Sequence, residues 1–286
     1  MPSRSRRRLL AVALTAVAVA SLALAPQAMA DYLTPESGGG SRNAEEIDAL
    51  FKWVLYVAAV VFVGVEGALL YSLLRFRQRR GRKGAVAAQI RGNTSLEIGW
   101  TVGAAVVLIV ITVVTFIKLP GIKNPERSGP GGATAAGALF ASVDQPGPPG
   151  GKGLTVDVNG QQYVWRFTYP NRAYSYDTMI VPTGTTVILN LRAQDVIHSW
   201  WIPKLGGKMD AVPGYTNKTW FKVTREGTYP GQCAELCGRG HAEMLARVVA
   251  VSPARYRRWV ADRKRDIDQA NREAAQQRRT LSPIAE

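Results

Sequence analysis

The sequence predicts a membrane protein built in three parts: a two-helix transmembrane hairpin, an all-β sandwich or barrel, and a C-terminal helix. Three observations carry that reading. Leu50–Leu74 and Ile98–Ile117 are apolar runs of about 20 residues or more, the length a helix needs to cross a bilayer. Residues 154–252 hold short β-branched and aromatic runs separated by turn residues. Residues 254–279 are rich in Ala, Arg and Gln and contain neither Gly nor Pro.

Composition narrows the function classes. The 286 residues carry 36 Lys plus Arg against 21 Asp plus Glu, a formal charge of +15, with 47% hydrophobic residues. Such a chain is not a disordered tail. Two cysteines and two histidines exclude a disulfide-stapled mini-protein and a Cys-rich zinc module. No C-x-x-C-H occurs, so no c-type haem is attached covalently.

The first thirty residues have the parts of a signal peptide. Arg4, Arg6, Arg7 and Arg8 precede an apolar run from Leu9 to Ala25, and Ala28-Met29-Ala30 offers a cleavage site before Asp31. The alternative is an uncleaved anchor helix. Residues 31–48 then form an exported N-terminal segment.

The two spans occupy 49–120. Lys52 and Glu66 are the only charges in the first apolar run, and the second has none. The loop at about 75–97 carries Arg75, Arg77, Arg79, Arg80, Arg82, Lys83 and Arg91 against Glu97 alone. A short loop this basic stays in the cytoplasm, so the chain after residue 120 lies outside. Membrane orientation accounts for these basic residues, which leaves no case for a nucleic-acid partner. A carboxylate within a span is costly, so Glu66 is expected to meet a neighbouring subunit or to serve proton movement.

Residues 121–153, rich in Gly, Pro, Ala and Ser, read as a flexible tether. Seven strands are expected after it, at 154–158, 162–169, 175–181, 185–191, 197–202, 219–223 and 245–251, in an antiparallel sandwich or barrel. Trp165 and Phe167 alternate as core residues. Residues 253–286, with nine basic and five acidic residues, form a surface helix. Docking to a partner or to anionic lipid is its alternative role.

The chemistry is concentrated in one window. Both histidines and both cysteines lie between His198 and His241, in Asp195-Val-Ile-His198 and in Cys233-Ala-Glu-Leu-Cys237-Gly-Arg-Gly-His241-Ala-Glu-Met244. Thiolate, imidazole and thioether form a soft donor set suited to copper. Three residues between the cysteines let both thiolates face one point and bridge two copper ions, each finished by one His. Met244 and the Glu235 carbonyl would complete the weak positions. A Cys233–Cys237 disulfide is the competing reading in an oxidising compartment.

The chain resembles subunit II of cytochrome c oxidase. Arg91-Gly-Asn-Thr-Ser-Leu-Glu97-Ile-Gly-Trp100, Asp195 to Pro203, Gly207 to Gly214 and the Cys233–Met244 motif carry the resemblance. It implies a cupredoxin-like Greek-key sandwich holding a dinuclear copper A centre on His198, Cys233, Glu235 (through its carbonyl), Cys237, His241 and Met244. It further implies a Mg ion on the Glu235 carboxylate at the interface with subunit I, and Glu97 at the mouth of a proton pathway. Glu97 also suits a plain helix-start acid. Tyr163 stands where the family commonly has the Trp that accepts electrons.

The resemblance implies subunit II of an aa3-type-like oxidase in a bacterial plasma membrane. A separate c-type cytochrome would donate electrons, and haem in subunit I, with subunit III beside it, would use them to reduce oxygen and pump protons. With both histidines committed to copper, the chain itself has none left for haem. The sandwich carries ten basic and seven acidic residues, too balanced to identify the donor by charge. An exported, membrane-anchored copper chaperone or storage protein is the alternative, though it needs neither Glu97 nor Glu235. A quinol-oxidising relative would lack the copper ligands, and a nitrous oxide reductase would need a large His-rich domain.

Overall fold

The computed structural model describes residues 38–77, 89–129 and 153–281. The signal peptide expected at 1–30, residues 78–88 of the loop expected in the cytoplasm and residues 130–152 of the tether lie outside the described residues.

Two long helices come first, α1 (Arg42–Arg75) and α2 (Thr94–Lys123). At about 1.5 Å per residue each is longer than a hydrocarbon core is thick. Their apolar side chains, such as Val60, Leu74 and Ile117, point outward rather than into a protein core. That suits helices whose solvent is lipid. Towards their sandwich-side ends Trp53, Val54 and Val57 of α1 approach Val110, Ile111 and Val114 of α2. Glu46 joins the pair by accepting from Lys118 Nζ at 2.8 Å.

The start of α2 is capped by its own sequence. Asn93 Oδ1 accepts from Leu96 N and Glu97 Oε1 accepts from Asn93 N, both at 3.1 Å. This reciprocal arrangement satisfies amides that a helix start leaves bare.

The sandwich contains ten strands: β1 (Leu154–Gln161), β2 (Val164–Thr168), β3 (Tyr174–Tyr176), β4 (Thr178–Pro182), β5 (Thr186–Ala193), β6 (His198–Trp201), β7 (Met209–Ala211), β8 (Asn217–Lys222), β9 (Gly227–Cys233) and β10 (Leu245–Val251). One sheet runs β3-β2-β1-β5-β8 and the other β4-β10-β9-β6-β7. Most neighbours are antiparallel, but β1 with β5 and β4 with β10 are parallel, so the sandwich is mixed and not the antiparallel one expected. The run expected at 175–181 is two strands, because Asp177 takes a left-handed conformation (φ 51°) and sends the chain from one sheet to the other.

Strand β9 runs through Pro230-Gly231, which the sequence presents as a turn. Pro230 pairs with Arg247 of β10, while β6 pairs with β9 only at Gln232 and Cys233, so on that side no ladder bond is asked of the proline. Gly231 is required, since a Cβ there would lie 2.2 Å from the Trp201 carbonyl oxygen.

Between the sheets Val156, Val158, Trp165, Phe167, Leu189, Leu191, Trp200 and Val248 are buried. Trp165 and Phe167 are core, as period-two spacing predicts. Both meet Trp200 edge-on, at centroid distances of 5.7 and 5.4 Å.

Residues 121–129, grouped with the tether by composition, depart from that expectation. Residues 121–123 complete α2, and the rest pack on the sandwich. Glu126 O accepts from Thr186 Oγ1 at 2.6 Å, and Gly129 N donates to Gly184 O at 2.8 Å. Buried Lys222 donates to the carbonyls of Arg127 and Gly129, both at 3.0 Å, and pairs with Glu126 at 3.5 Å. Burial raises the Glu126 carboxyl above the usual range, against the attraction of Lys222. Trp220 ties both helices to β8: its indole N–H donates to Ile122 O at 2.9 Å and its carbonyl accepts from Asn43 Nδ2 at 2.6 Å.

The C-terminal helix α3 (Pro253–Leu281) docks by its first turns on the sandwich of the same chain. Trp259 and Tyr256 pack against Tyr169, at 5.1 and 6.3 Å between ring centroids. Arg263 Nε donates to Tyr174 O at 3.0 Å.

Two outcomes follow. Lys222→Met should destabilise the docked hairpin by about 3 kcal/mol, because Glu126 keeps its burial and loses its cation. Adding Glu126→Gln should recover most of the loss, read by thermal unfolding of the full chain in detergent. Burial pushes the Tyr256 hydroxyl up to about 12 and raises Tyr169 as well. A raised tyrosine contributes stability that is complete below its ordinary value and lost as pH rises through the folded value. Docking of α3 should therefore weaken by roughly 2 kcal/mol between pH 10 and pH 12. Trp259 fluorescence and near-UV circular dichroism measure it, and Tyr256→Phe should flatten the profile.

Candidate metal centre

The centre lies at one end of the sandwich, where two loops meet. His198 opens β6 and is fully buried. Cys233 ends β9, Cys237 follows in the loop, His241 opens a 3-10 turn at His241–Glu243, and Met244 precedes β10. The loop is closed at its base by Cys233 N donating to Met244 O at 2.9 Å. Ala234 N donates to Ser199 O, also at 2.9 Å, and fixes the loop to β6.

These elements bring six donor atoms into one chain of contacts. Cys233 Sγ lies 3.8 Å from His198 Nδ1 and 3.3 Å from Glu235 O. Cys237 Sγ lies 3.6 Å from His241 Nδ1 and 3.9 Å from Met244 Sδ. The two sulfurs are 3.9 Å apart, and both cysteines are free thiols. A disulfide bond would need about 2.05 Å. Ligand atoms of His198, Cys233 and Cys237 all lie within 4.8 Å of one another. Bonds of about 2.0–2.3 Å from nitrogen and sulfur to a soft metal fit separations of this size. The donor set therefore fits a soft cation shared between two thiolates.

The surroundings suit that role. Cys233, Cys237, Met244 and His198 are at most 4% exposed. Burial, reinforced by Cys233, pushes the Cys237 thiol up to about 11. His198 turns Nε2 to Asp195 Oδ1 at 2.9 Å, which assigns the proton to Nε2 and leaves Nδ1 free to bind metal. Burial acts to raise Asp195, but hydrogen bonds from Gln162 N, His198 and Val196 N outweigh it and hold the carboxyl below its ordinary value.

The other residues singled out by sequence fall in different places. Tyr163 is half-exposed and lies over the Cys237–His241 loop. A Cβ on Gly240 would meet its ring at 2.6 Å, so the loop needs glycine to admit it. The Glu235 side chain is exposed at the edge of the centre. Glu97 is at the far end of α2, about 40 Å along the helix from its sandwich end, and Glu66 lies exposed about three-quarters of the way along α1. Sequence reasoning missed Gln162, whose Nε2 donates to Cys237 O at 2.6 Å, and gave Asp195 no role. The carboxylate three residues before His198 was the available signal; Gln162 had none.

Comparison with known proteins follows the same lines. A family profile described as cytochrome c oxidase subunit II, periplasmic domain, matches residues 172–251, and its transmembrane-domain counterpart matches 36–117. The chain is 35% identical over 256 residues to cytochrome c oxidase subunit 2 of Thermostichus vulcanus, covering 79% of this chain and 77% of that one. It is 32% identical over 228 residues to the corresponding protein of Alkalihalophilus pseudofirmus, covering 79% of this chain but only 61% of that longer one. A solved periplasmic domain of subunit II of cytochrome oxidase from Bradyrhizobium japonicum is 31% identical, with TM-score 0.39, covering 40% of this chain and 96% of that one.

The raised Cys237 thiol gives a metal-independent check. In the folded, metal-free chain its alkylation by iodoacetamide at pH 8 should be at least about a hundredfold slower than in urea, since about two pH units of thiolate are lost. Mass spectrometry of the peptide reads the rate.

Proposed function

Because the chain belongs to the cytochrome c oxidase subunit II family, we propose that it is the electron-accepting subunit of an aa3-type-like haem–copper oxidase. In this reading the sandwich stands outside the plasma membrane of a bacterium, and the α1–α2 hairpin holds it there. A separate c-type cytochrome supplies electrons one at a time. They pass to haem in subunit I, where oxygen is reduced to water with proton pumping. Subunit III is a further neighbour.

The observation that carries the proposal is the convergence of six donor atoms in one chain of contacts, with His198, Cys233, Cys237 and Met244 buried. His198, Cys233, the Glu235 carbonyl, Cys237, His241 and Met244 would together hold a pair of copper ions. When bound, such a pair supplies a one-electron store. The interlocked loops hold the donors in place whichever charge the centre carries, and the aromatic core below them excludes water. Tyr163, lying over the His241 side, takes the electron-accepting position. Glu235 offers its exposed carboxylate to a Mg ion at the subunit I interface, a hard ligand suited to a hard cation. Glu97, at the cytoplasmic end of α2, serves the mouth of a proton pathway while capping its helix. The chaperone or storage alternative is less well supported, because donors this deeply buried hinder hand-over of metal.

The full chain, purified in detergent and loaded with copper, should hold two coppers per chain that share one unpaired electron in its EPR spectrum. A single copper with an ordinary mononuclear signal would sink the proposal. Tyr163→Ala should leave that spectrum intact and slow reduction by a c-type cytochrome by roughly tenfold, equivalent to about 1.4 kcal/mol of barrier.

A further inference from the structure

The hairpin turn between β1 and β2 touches both metal-binding loops, although it contributes no ligand. Asp195 is the junction. Its Oδ1 accepts from His198 Nε2 at 2.9 Å and from Val196 N at 2.7 Å, and its Oδ2 accepts from Gln162 N at 2.7 Å. Gln162 then reaches the other way, donating from Nε2 to Cys237 O at 2.6 Å. The base of the same turn is fixed by Gln194 N donating to Gly160 O at 3.1 Å. Gly160 sits so close to the His198 ring that a Cβ there would be 3.0 Å from Cδ2, and Trp165 closes the ring's edge at a centroid distance of 5.9 Å.

We propose that Asp195 and Gln162 are positioning residues that clamp the His198 loop to the Cys237 loop and set the reduction potential of the metal centre. The inference rests on the copper-binding reading above. Two effects are separable. The Asp195 carboxylate accepts the Nε2 proton, which fixes the ring orientation and makes Nδ1 a stronger donor. Its negative charge, one hydrogen bond from the buried His198 ring, favours the more positive, oxidised state of the centre. Gln162 is neutral, so its contribution is mechanical: it holds the Cys237 carbonyl, and with it the loop, against the same carboxylate.

Asp195→Asn keeps the shape and one acceptor oxygen but removes the charge. In the copper-loaded full chain in detergent, its reduction potential should shift upward, with copper content unchanged. Gln162→Ala removes the tether without altering charge. Its potential should stay near that of the wild type, while a Cu(I) chelator extracts copper several-fold faster. A merely structural role would lower copper content or thermal stability in both variants and leave the potential of the remaining centres unmoved. Unchanged potential in Asp195→Asn together with unchanged extraction from Gln162→Ala overturns the inference alone. A wild-type chain that fails to bind copper as a pair overturns both this inference and the reading beneath it. Should Asp195→Asn fail to fold, Asp195→Glu, which keeps the charge and lengthens the reach, tests the same point: its potential should stay low while its EPR hyperfine pattern changes.

Discussion

The centre depends on a short piece of β-ladder. Strands β6 and β9 pair over only two positions, Trp200 with Cys233 and Trp201 with Gln232. That pairing places a residue from the middle of the chain beside a loop 35 positions later, and it puts His198 and Cys233 on the same side. A slip of one residue would turn either side chain to the opposite face of the sheet. Register is held by the aromatic cluster beneath. Trp200 wedges between Trp165 and Phe167, and none of the three can move without opening a void in a close-packed core. Gly231 then allows β6 to approach where any side chain would hold it off.

The resulting centre is not symmetrical. On the Cys233 side, His198 is fully buried and has a carboxylate at its back. On the Cys237 side, His241 is partly exposed and sits in a loop over which Tyr163 lies. One half is thus held by the sandwich and the other by the surface. A site graded in this way has an inner and an outer end before any partner arrives.

Much of this was legible in the sequence. The spans were read from long apolar runs whose meaning does not depend on tertiary contacts. The donor set was read from the spacing of rare residue types. What escaped notice shares a cause: the fold used a local signal against its usual sense. Pro230-Gly231 reads as a turn, yet lies inside β9 because the neighbouring strand stops short of the proline. The run at 175–181 looks like one strand, yet Asp177 divides it between two sheets. Residues 124–129 look like spacer, but buried Lys222 and Thr186 draw their carbonyls onto the sandwich. Gln162 acts through a side-chain amide on a carbonyl 75 residues away, which no spacing rule could reveal.

The attachment at Trp220 has a consequence for how distance is kept. One residue of β8 holds the sandwich-side end of α2 by its indole and the sandwich-side end of α1 by its carbonyl, with Lys222 two positions on repeating the grip. The sandwich is therefore mounted on the hairpin like an instrument on a mast, and the altitude of the metal-binding end above the lipid is a property of β8. Sliding the grip by one residue along β8 changes it by about 3.4 Å. Because packed contacts at β8 join the two parts, a tilt of the helices would carry the sandwich with it.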